Sequence, residues 1–191
     1  MEKLVLFFQK GGRMPRALAE EIAGQFLHKT IVKNGFQLRE GQISNEYLFL
    51  EEGFMRAFAH AVDGNEVTTA FYSAGQVVFE VSSFFNRTPS KENIQALTDC
   101  QVWYINYEQL NTFFHTIPAF REFGRSILVK GFASLKARML ATITETAEER
   151  YAHLLTTAPE IFQHAPLKYI ASYLGITDTS LSRIRKDFAA R

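Results

Sequence analysis

Residues 166–186 read P-L-K-Y-I-A-S-Y-L-G-I-T-D-T-S-L-S-R-I-R-K, and the spacing within this stretch decides how the chain is organised. Pro166 suits the first position of a helix, where its missing N–H would have no partner in any case. Leu167, Ile170, Ala171 and Leu174 then fall on one helical face. Gly175 follows directly, where a helix commonly ends in a left-handed turn that Gly adopts at low cost. Thr177 offers a hydroxyl to cap a second helix. In that helix Leu181, Ile184 and Phe188 form the buried stripe, and Ser180, Ser182, Arg183, Arg185 and Lys186 lie off it.

Two short helices joined at Gly175 resemble a helix-turn-helix. Ala171 is small enough to let the helices approach, and Ile176, Leu181 and Ile184 close the core between them. An ordinary helical hairpin with a solvated basic face has no need of that joint placement. A second helix laid in the major groove of DNA offers its first turns to base edges, while basic groups beside it hold phosphates. Arg183 is then the candidate for bidentate contact with a guanine. Asp178, Thr179 and Ser180 sit at the leading end, flanked by Thr177 and Ser182, within reach of bases or phosphates. Lys168, Arg185 and Lys186 are candidate phosphate contacts. Residues 164–191 hold five Lys/Arg against two Asp, a balance of +3, whereas the whole chain carries +1. Positive charge is concentrated at the end that would meet a polyanion.

The chain has 191 residues, 47% hydrophobic and 14% aromatic, enough for one large or two small domains with a sizeable core. No run of 18 apolar residues exists, so no membrane span is expected. Residues 4–8 are too short an apolar run for a signal peptide and lack a cleavage-like site, which makes the cytoplasm the expected location. The single Cys100 excludes an internal disulfide and a four-cysteine iron–sulfur site.

Residues 1–28 read as one or two amphipathic helices broken by Gly11-Gly12 and Pro15. From about residue 29 to 107 the period changes. Strand-like runs at 47–51, 54–62, 66–73 and 95–106 are separated by Gly-containing turns, and Asp63-Gly64 is a strong hairpin signal. In one run Phe54, Arg56, Phe58 and His60 alternate with Met55, Ala57, Ala59 and Ala61. Short strands at this spacing predict a small antiparallel sandwich or jelly roll. Helical periodicity then returns over 108–117 and 119–144. The second helix, about 39 Å long, outruns a small β domain, and its broad apolar face calls for a partner, most simply a second copy. Thr146-Ala-Glu-Glu149 is a capping-box pattern that opens a helix over 147–157, and 159–162 is a turn or short helix.

A β sandwich, a long helix and a C-terminal helix-turn-helix, in that order, resemble the Crp/Fnr family of bacterial transcription regulators over nearly the whole chain. Gly41, Gly53, Gly64 and Gly75 carry the resemblance, with Glu149, Leu154, Pro159, Glu160, Pro166 and Leu167, and most specifically L-G-I-T-D-T-S-L-S-R-I-R-K at 174–186. It implies an α+β chain in three parts: a cyclic-nucleotide-binding-like jelly roll for effector sensing (1–117), a dimerisation helix (118–145) and a winged helix-turn-helix domain (146–191). It also implies a homodimer bound to near-palindromic double-stranded DNA, with RNA polymerase a candidate partner, and no enzymatic activity. By the family's pattern Asp178, Thr179 and Arg183 occupy base-reading positions. Asp178 and Thr179 depart from the Arg-Glu pair of the best-known members, so the operator should differ.

The effector pocket departs most. Cyclic-nucleotide binders of the family carry G-E-x-x-L, whose Glu takes the ribose hydroxyl, and a downstream Arg-Ser or Arg-Thr, whose Arg pairs with the phosphate. Here Phe79 precedes Glu80, and the Arg-Ser position falls at Ser90-Lys91, with no guanidinium in register. The expectation is a pocket lined by Phe79, Glu80, Ser82, Ser83, Ser90 and Lys91 that is empty or takes another ligand, with cyclic AMP disfavoured as a cofactor.

Two other readings compete. A cupin-like β-barrel enzyme would need clustered His and carboxylates on strands. Of His28, His60, His115, His153 and His164 only His60 falls in the strand region, and no nucleophile or nucleotide motif appears, so no catalytic or metal residue is assigned. The other is a cyclic-nucleotide sensor that acts through a protein partner, with the basic C-terminal helix as its docking face.

Overall fold

The computed structural model describes residues 1–10 and 14–189, so the Gly11-Gly12 break and the charge of Arg191 fall outside it. Two helices lead, α1 (Glu2–Gln9) and α2 (Arg16–Ala23). Eight strands follow among the described residues: β1 (Leu27–Ile31), β2 (Phe36–Leu38), β3 (Glu46–Glu52), β4 (Phe54–His60), β5 (Glu66–Ser73), β6 (Val77–Val78), β7 (Asn93–Ala96) and β8 (Cys100–Asn106). A short helix, α3 (Val81–Asn86), lies between β6 and β7. The rest is helical: α4 (Tyr107–Thr116), α5 (Pro118–Thr144), α6 (Ala147–Thr157), α7 (Glu160–His164), α8 (Leu167–Leu174) and α9 (Asp178–Ala189). No strand follows Asn106 among the described residues, so the wing is not among them.

The strands form two four-stranded antiparallel sheets, ordered β1-β8-β3-β6 and β2-β7-β4-β5. Leu48, Leu50, Met55, Ala57, Ile94 and Val102 fill the space between them. A second core is rich in phenylalanine. Phe7 and Phe8 of α1 meet Phe49 of β3 and Phe120 and Phe123 of α5, which fixes the leading helices to the first sheet and to the root of the long helix.

The expected run over 95–106 divides into β7 and β8, which lie in different sheets. Residues 97–99 make the crossing, where the N–H groups of Leu97 and Thr98 both reach the Phe54 carbonyl, at 2.8 and 3.4 Å. His28 also proves to be a strand residue, packed on Trp103 with ring centroids 4.8 Å apart.

Strand β4 departs from a simple alternation of wet and dry faces. Met55 and Ala57 face the inside of the sandwich. Phe54, Arg56 and Phe58 on the opposite face are also buried. The C-terminal helices cover Phe54 and Arg56: Phe54 and Leu97 share a core with Tyr151, Ile161, Ile170, Leu174, Leu181 and Ile184, and Tyr169 lies on Arg56.

Helix α5 has 27 residues, about 40 Å of rise. Its root is buried at Phe120, Phe123 and Gly124, and a Cβ at Gly124 would stand 2.3 Å from the Phe114 ring. Beyond that turn the helix is largely exposed, although Arg138 still reaches the Thr69 carbonyl of β5. The capping box at Thr146 forms, with the hydroxyl accepting from the Glu149 N–H at 3.2 Å and the Glu149 carboxylate accepting from the Thr146 N–H at 2.8 Å. Among the described residues no helix is long and apolar enough to cross a membrane.

Two turn glycines separate conformational strain from crowding. Gly64 has φ 81° with nothing near its absent side chain, whereas at Gly53, φ 104°, a Cβ would lie 2.6 Å from both the Asp99 carbonyl and the Cys100 sulfur. Gly64→Ala is expected to cost about 1 kcal/mol and Gly53→Ala about 2–4 kcal/mol, because overpacking adds to the same backbone strain. Paired urea unfolding curves check the difference.

Candidate nucleic-acid interface and sensor cassette

The C-terminal pair closes as its sequence demands. Gly175 ends α8 at φ 70°, and the Ile176 N–H returns to the Ala171 carbonyl at 3.0 Å. Thr177 caps α9, its hydroxyl accepting from the Ser180 N–H at 3.2 Å and lying 3.0 Å from the Ser180 hydroxyl. Ile170, Ala171, Leu174, Leu181 and Ile184 are buried between the helices. With one side of α9 fixed by Leu181, Ile184 and Phe188, helical geometry turns Thr179, Ser182, Arg183 and Lys186 directly outward. Asp178 and Arg185 share one flank.

All of these side chains except Ser180 are exposed, as is Lys168 at the start of α8. Thr177 and Ser180 spend their hydroxyls on the cap, which leaves them less free to read bases than Thr179, Ser182 and Arg183. Arg183, Arg185 and Lys186 have no acidic partner among the described residues, so their donors face solvent. An outward row that runs from the hydroxyls of Thr179 and Ser182 to the unpaired cations of Arg183 and Lys186, the latter in the last turn, is suited to an extended anion.

Most of the residues expected to line an effector pocket have hydrogen-bond or ring partners within the protein. Glu80 caps α3, accepting from the Ser82 and Ser83 N–H groups at 3.0 and 2.6 Å. The buried Ser83 hydroxyl donates to the Thr88 carbonyl at 2.5 Å and accepts from the Ser44 N–H at 2.9 Å. Ser90, also buried, closes its own turn with Glu92, donating to that carbonyl at 2.8 Å and accepting from that N–H at 3.0 Å. Phe79 packs on Tyr47 and Phe84, with centroids 5.0 and 5.3 Å away. Ser82 and Lys91 face solvent.

Arg87, the nearest guanidinium in sequence, is likewise committed. It donates to the Ser44 carbonyl at 3.0 Å and to Asn45 Oδ1, and stacks on the Tyr107 ring at 4.2 Å. Beside the cassette the balance of charge is acidic. Burial pushes the Glu92 carboxyl up, Glu80 adds to the rise, and Arg138 opposes it. Burial, with Glu92 and Glu80, also raises the Tyr72 hydroxyl. The opposing cation comes from α5: Arg138 donates to the Thr69 carbonyl and lies over the Tyr173 ring at 4.2 Å. Neither Arg138 nor Glu92 is marked in the sequence, because nothing in a linear pattern brings residues 69, 92, 138 and 173 together.

A jelly roll with a short helix between its sixth and seventh strands, a long shaft and a terminal helix-turn-helix is the fold of the Crp/Fnr regulators. Residues 29–116 match the family model described as Cyclic nucleotide-binding domain. Among solved structures the chain is similar to FixK2 from Bradyrhizobium japonicum, with 18% identity over 86% of this chain and 85% of that one, at a TM-score of 0.73. It is similar to the c-di-GMP-responsive global regulator CLP from Xanthomonas campestris, with 18% identity over 90% of each chain and a TM-score of 0.71. A protein from Eubacterium rectale assigned to the Crp/Fnr family gives 15% identity, coverage of 97% and 88%, and a TM-score of 0.74. At these identities the likeness is one of fold. No curated protein sequence matches the chain.

The cassette geometry has a direct check. If Glu80 serves as a helix cap, Glu80→Ala lowers unfolding stability by about 1 kcal/mol without any ligand present. Unchanged stability by chemical denaturation would mean that its carboxylate is free for another role.

Proposed function

We propose that the protein is a homodimeric, DNA-binding transcription regulator of the Crp/Fnr type. In this reading residues 1–117 form the sensor, 118–145 the pairing helix and 146–191 the reader. The observation that carries it is the outward face of α9, with Arg183 and Lys186 beside Thr179 and Ser182, exposed on a helix-turn-helix whose own core is closed.

Pairing is supported by the free half of α5. Leu128, Phe132, Leu135, Met139 and Ile143 recur at intervals of four, three, four and four, and all are exposed, Phe132 to 70% and Ile143 to 72%. A stripe at this period on the exposed part of a helix suits a second copy of itself. Two chains joined there present two α9 helices, which suits a near-palindromic operator. Arg183 reads guanine, Thr179 and Ser182 read neighbouring positions, and Lys168, Arg185 and Lys186 hold phosphates. RNA polymerase is the partner such a regulator meets at a promoter, and the cytoplasm is the place for it.

The sensor domain takes an effector other than cyclic AMP, or none. A cyclic phosphate needs a guanidinium aimed at it. Arg87 is bonded to its own loop and Glu80 caps a helix.

Footprinting on DNA upstream of the protein's own operon is expected to reveal two protected half-sites about 34 Å apart. Arg183→Ala should weaken that binding by about 1–3 kcal/mol and relax the sequence preference at one position of each half-site. Equal affinity for the variant would remove Arg183 from the base-reading role.

A further inference from the structure

The reading unit does not hang free from the end of the shaft. Its first helix, α8, lies on the outer face of strand β5. The Ser172 hydroxyl accepts from the Thr68 N–H at 3.1 Å and lies 3.0 Å from Thr68 Oγ1. Tyr173 packs on Phe71 at 5.1 Å between centroids and carries the Arg138 guanidinium on its ring. One helix further back, Glu160 accepts from the Ser73 hydroxyl at 2.8 Å. The contacts run along β5 from residue 68 to residue 73.

At the centre of this seam is Arg56 of β4, 1% exposed. Its guanidinium lies against two rings, 4.0 Å from the centroid of Phe58 in its own strand and 3.4 Å from that of Tyr169 in α8. Nη2 reaches Glu66 at 2.5 Å and Gln95 at 3.1 Å, and Nη1 has no partner. A buried guanidinium with an unmet donor is a poor source of stability, because the lost hydration is not fully recovered. What it supplies is geometry: a flat, rigid fork that contacts a ring of β4 and a ring of α8 and so ties the helix to the sheet.

We infer that Arg56, Tyr169 and Ser172 are positioning residues for DNA reading, which dock α8 on the sensor sheet and so fix the separation between the two α9 helices of a dimer. The inference rests on the DNA-binding reading above and adds a specificity determinant that touches no DNA. Helix α9 is tied to α8 through the short Gly175 turn and their shared core, so whatever holds α8 also holds α9. With α8 seated, only one spacing between half-sites fits both readers. With α8 loosened, each reader still recognises its own half-site, but several spacings become acceptable.

The test is selection of bound duplexes from a random DNA pool, with the wild type and a Tyr169→Ala/Ser172→Ala double variant. Both altered side chains are only half buried, so folding is not at risk in the way it is at Arg56. The wild-type pool should show paired half-sites at one dominant separation, and the double variant should return the same half-site sequence spread over several separations. Arg56→Lys, which keeps the charge and loses the flat stack, should broaden the spacing in the same direction. A variant pool with the wild-type separation alone would overturn the inference. A wild-type pool with no enriched site would remove the DNA-binding reading itself, and this role with it. Amide exchange reads the docking without DNA: the Thr68 N–H should exchange about fivefold faster or more in Ser172→Ala, the effect of losing one ordinary hydrogen bond. Unchanged exchange would overturn the docking contact.

Discussion

From Phe54 to Phe58 strand β4 is buried on both faces, and much of the molecule follows from that. An antiparallel sheet in a small sandwich ordinarily buries one side and leaves the other to water. Here Met55 and Ala57 fill the inside of the sandwich, while Phe54, Arg56 and Phe58 on the outside need a second cover. The C-terminal helices supply it for Phe54 and Arg56. Phe54 and Leu97 of the sensor lie in the same core as Leu181 and Ile184 of the reader, so the two parts share buried surface and are not beads on a string. Removing the reader would expose Phe54 and Phe71 and would uncover the guanidinium of Arg56.

That shared surface assigns different freedoms to the two helices of the reading unit. Helix α8 is held on two sides, by α9 through Ile170, Ala171 and Leu174 and by β5 through Ser172 and Tyr173. Helix α9 is held on one side only, and its cationic row is left to solvent. The sensor cassette shows the opposite economy. Its polar groups are turned inward on one another: Glu80 on the start of α3, Ser83 on Thr88, Ser90 on Glu92 and Arg87 on Ser44. A loop that closes on itself in this way needs no ligand to be ordered.

The parts legible in the sequence were those set by local chemistry. Gly175, Thr177 and the spacing of Leu174, Leu181 and Ile184 define the helix-turn-helix because a left-handed stop, a hydroxyl cap and a 3.6-residue stripe are properties of neighbouring residues. Thr146 and Glu149 make their capping box for the same reason. What was not legible depends on residues far apart in the chain. The run over 95–106 reads as one strand because nothing within it marks the crossing at 97–99, which is fixed by the distant Phe54 carbonyl. The alternation over 54–61 separates two faces, yet it does not say which faces inward, nor that the other is partly covered by residues about a hundred positions later. Ser83 and Ser90 read as pocket residues through the register of the family's pattern at Glu80 and at Ser90-Lys91. Only the fold shows which backbone groups claim them.

In the proposed reading the exposed stripe on α5 ties these pieces into one functional unit, because a single reader would meet only half of a near-palindromic site. The most direct measurement is the mass of the complex between the protein and a duplex it has selected, by light scattering in line with size separation. Two chains per duplex is the expected result, with a Phe132→Glu/Ile143→Glu variant reduced to single chains that hold the same duplex far more weakly. A complex containing one chain at wild-type affinity, or a variant that still pairs, would contradict the account.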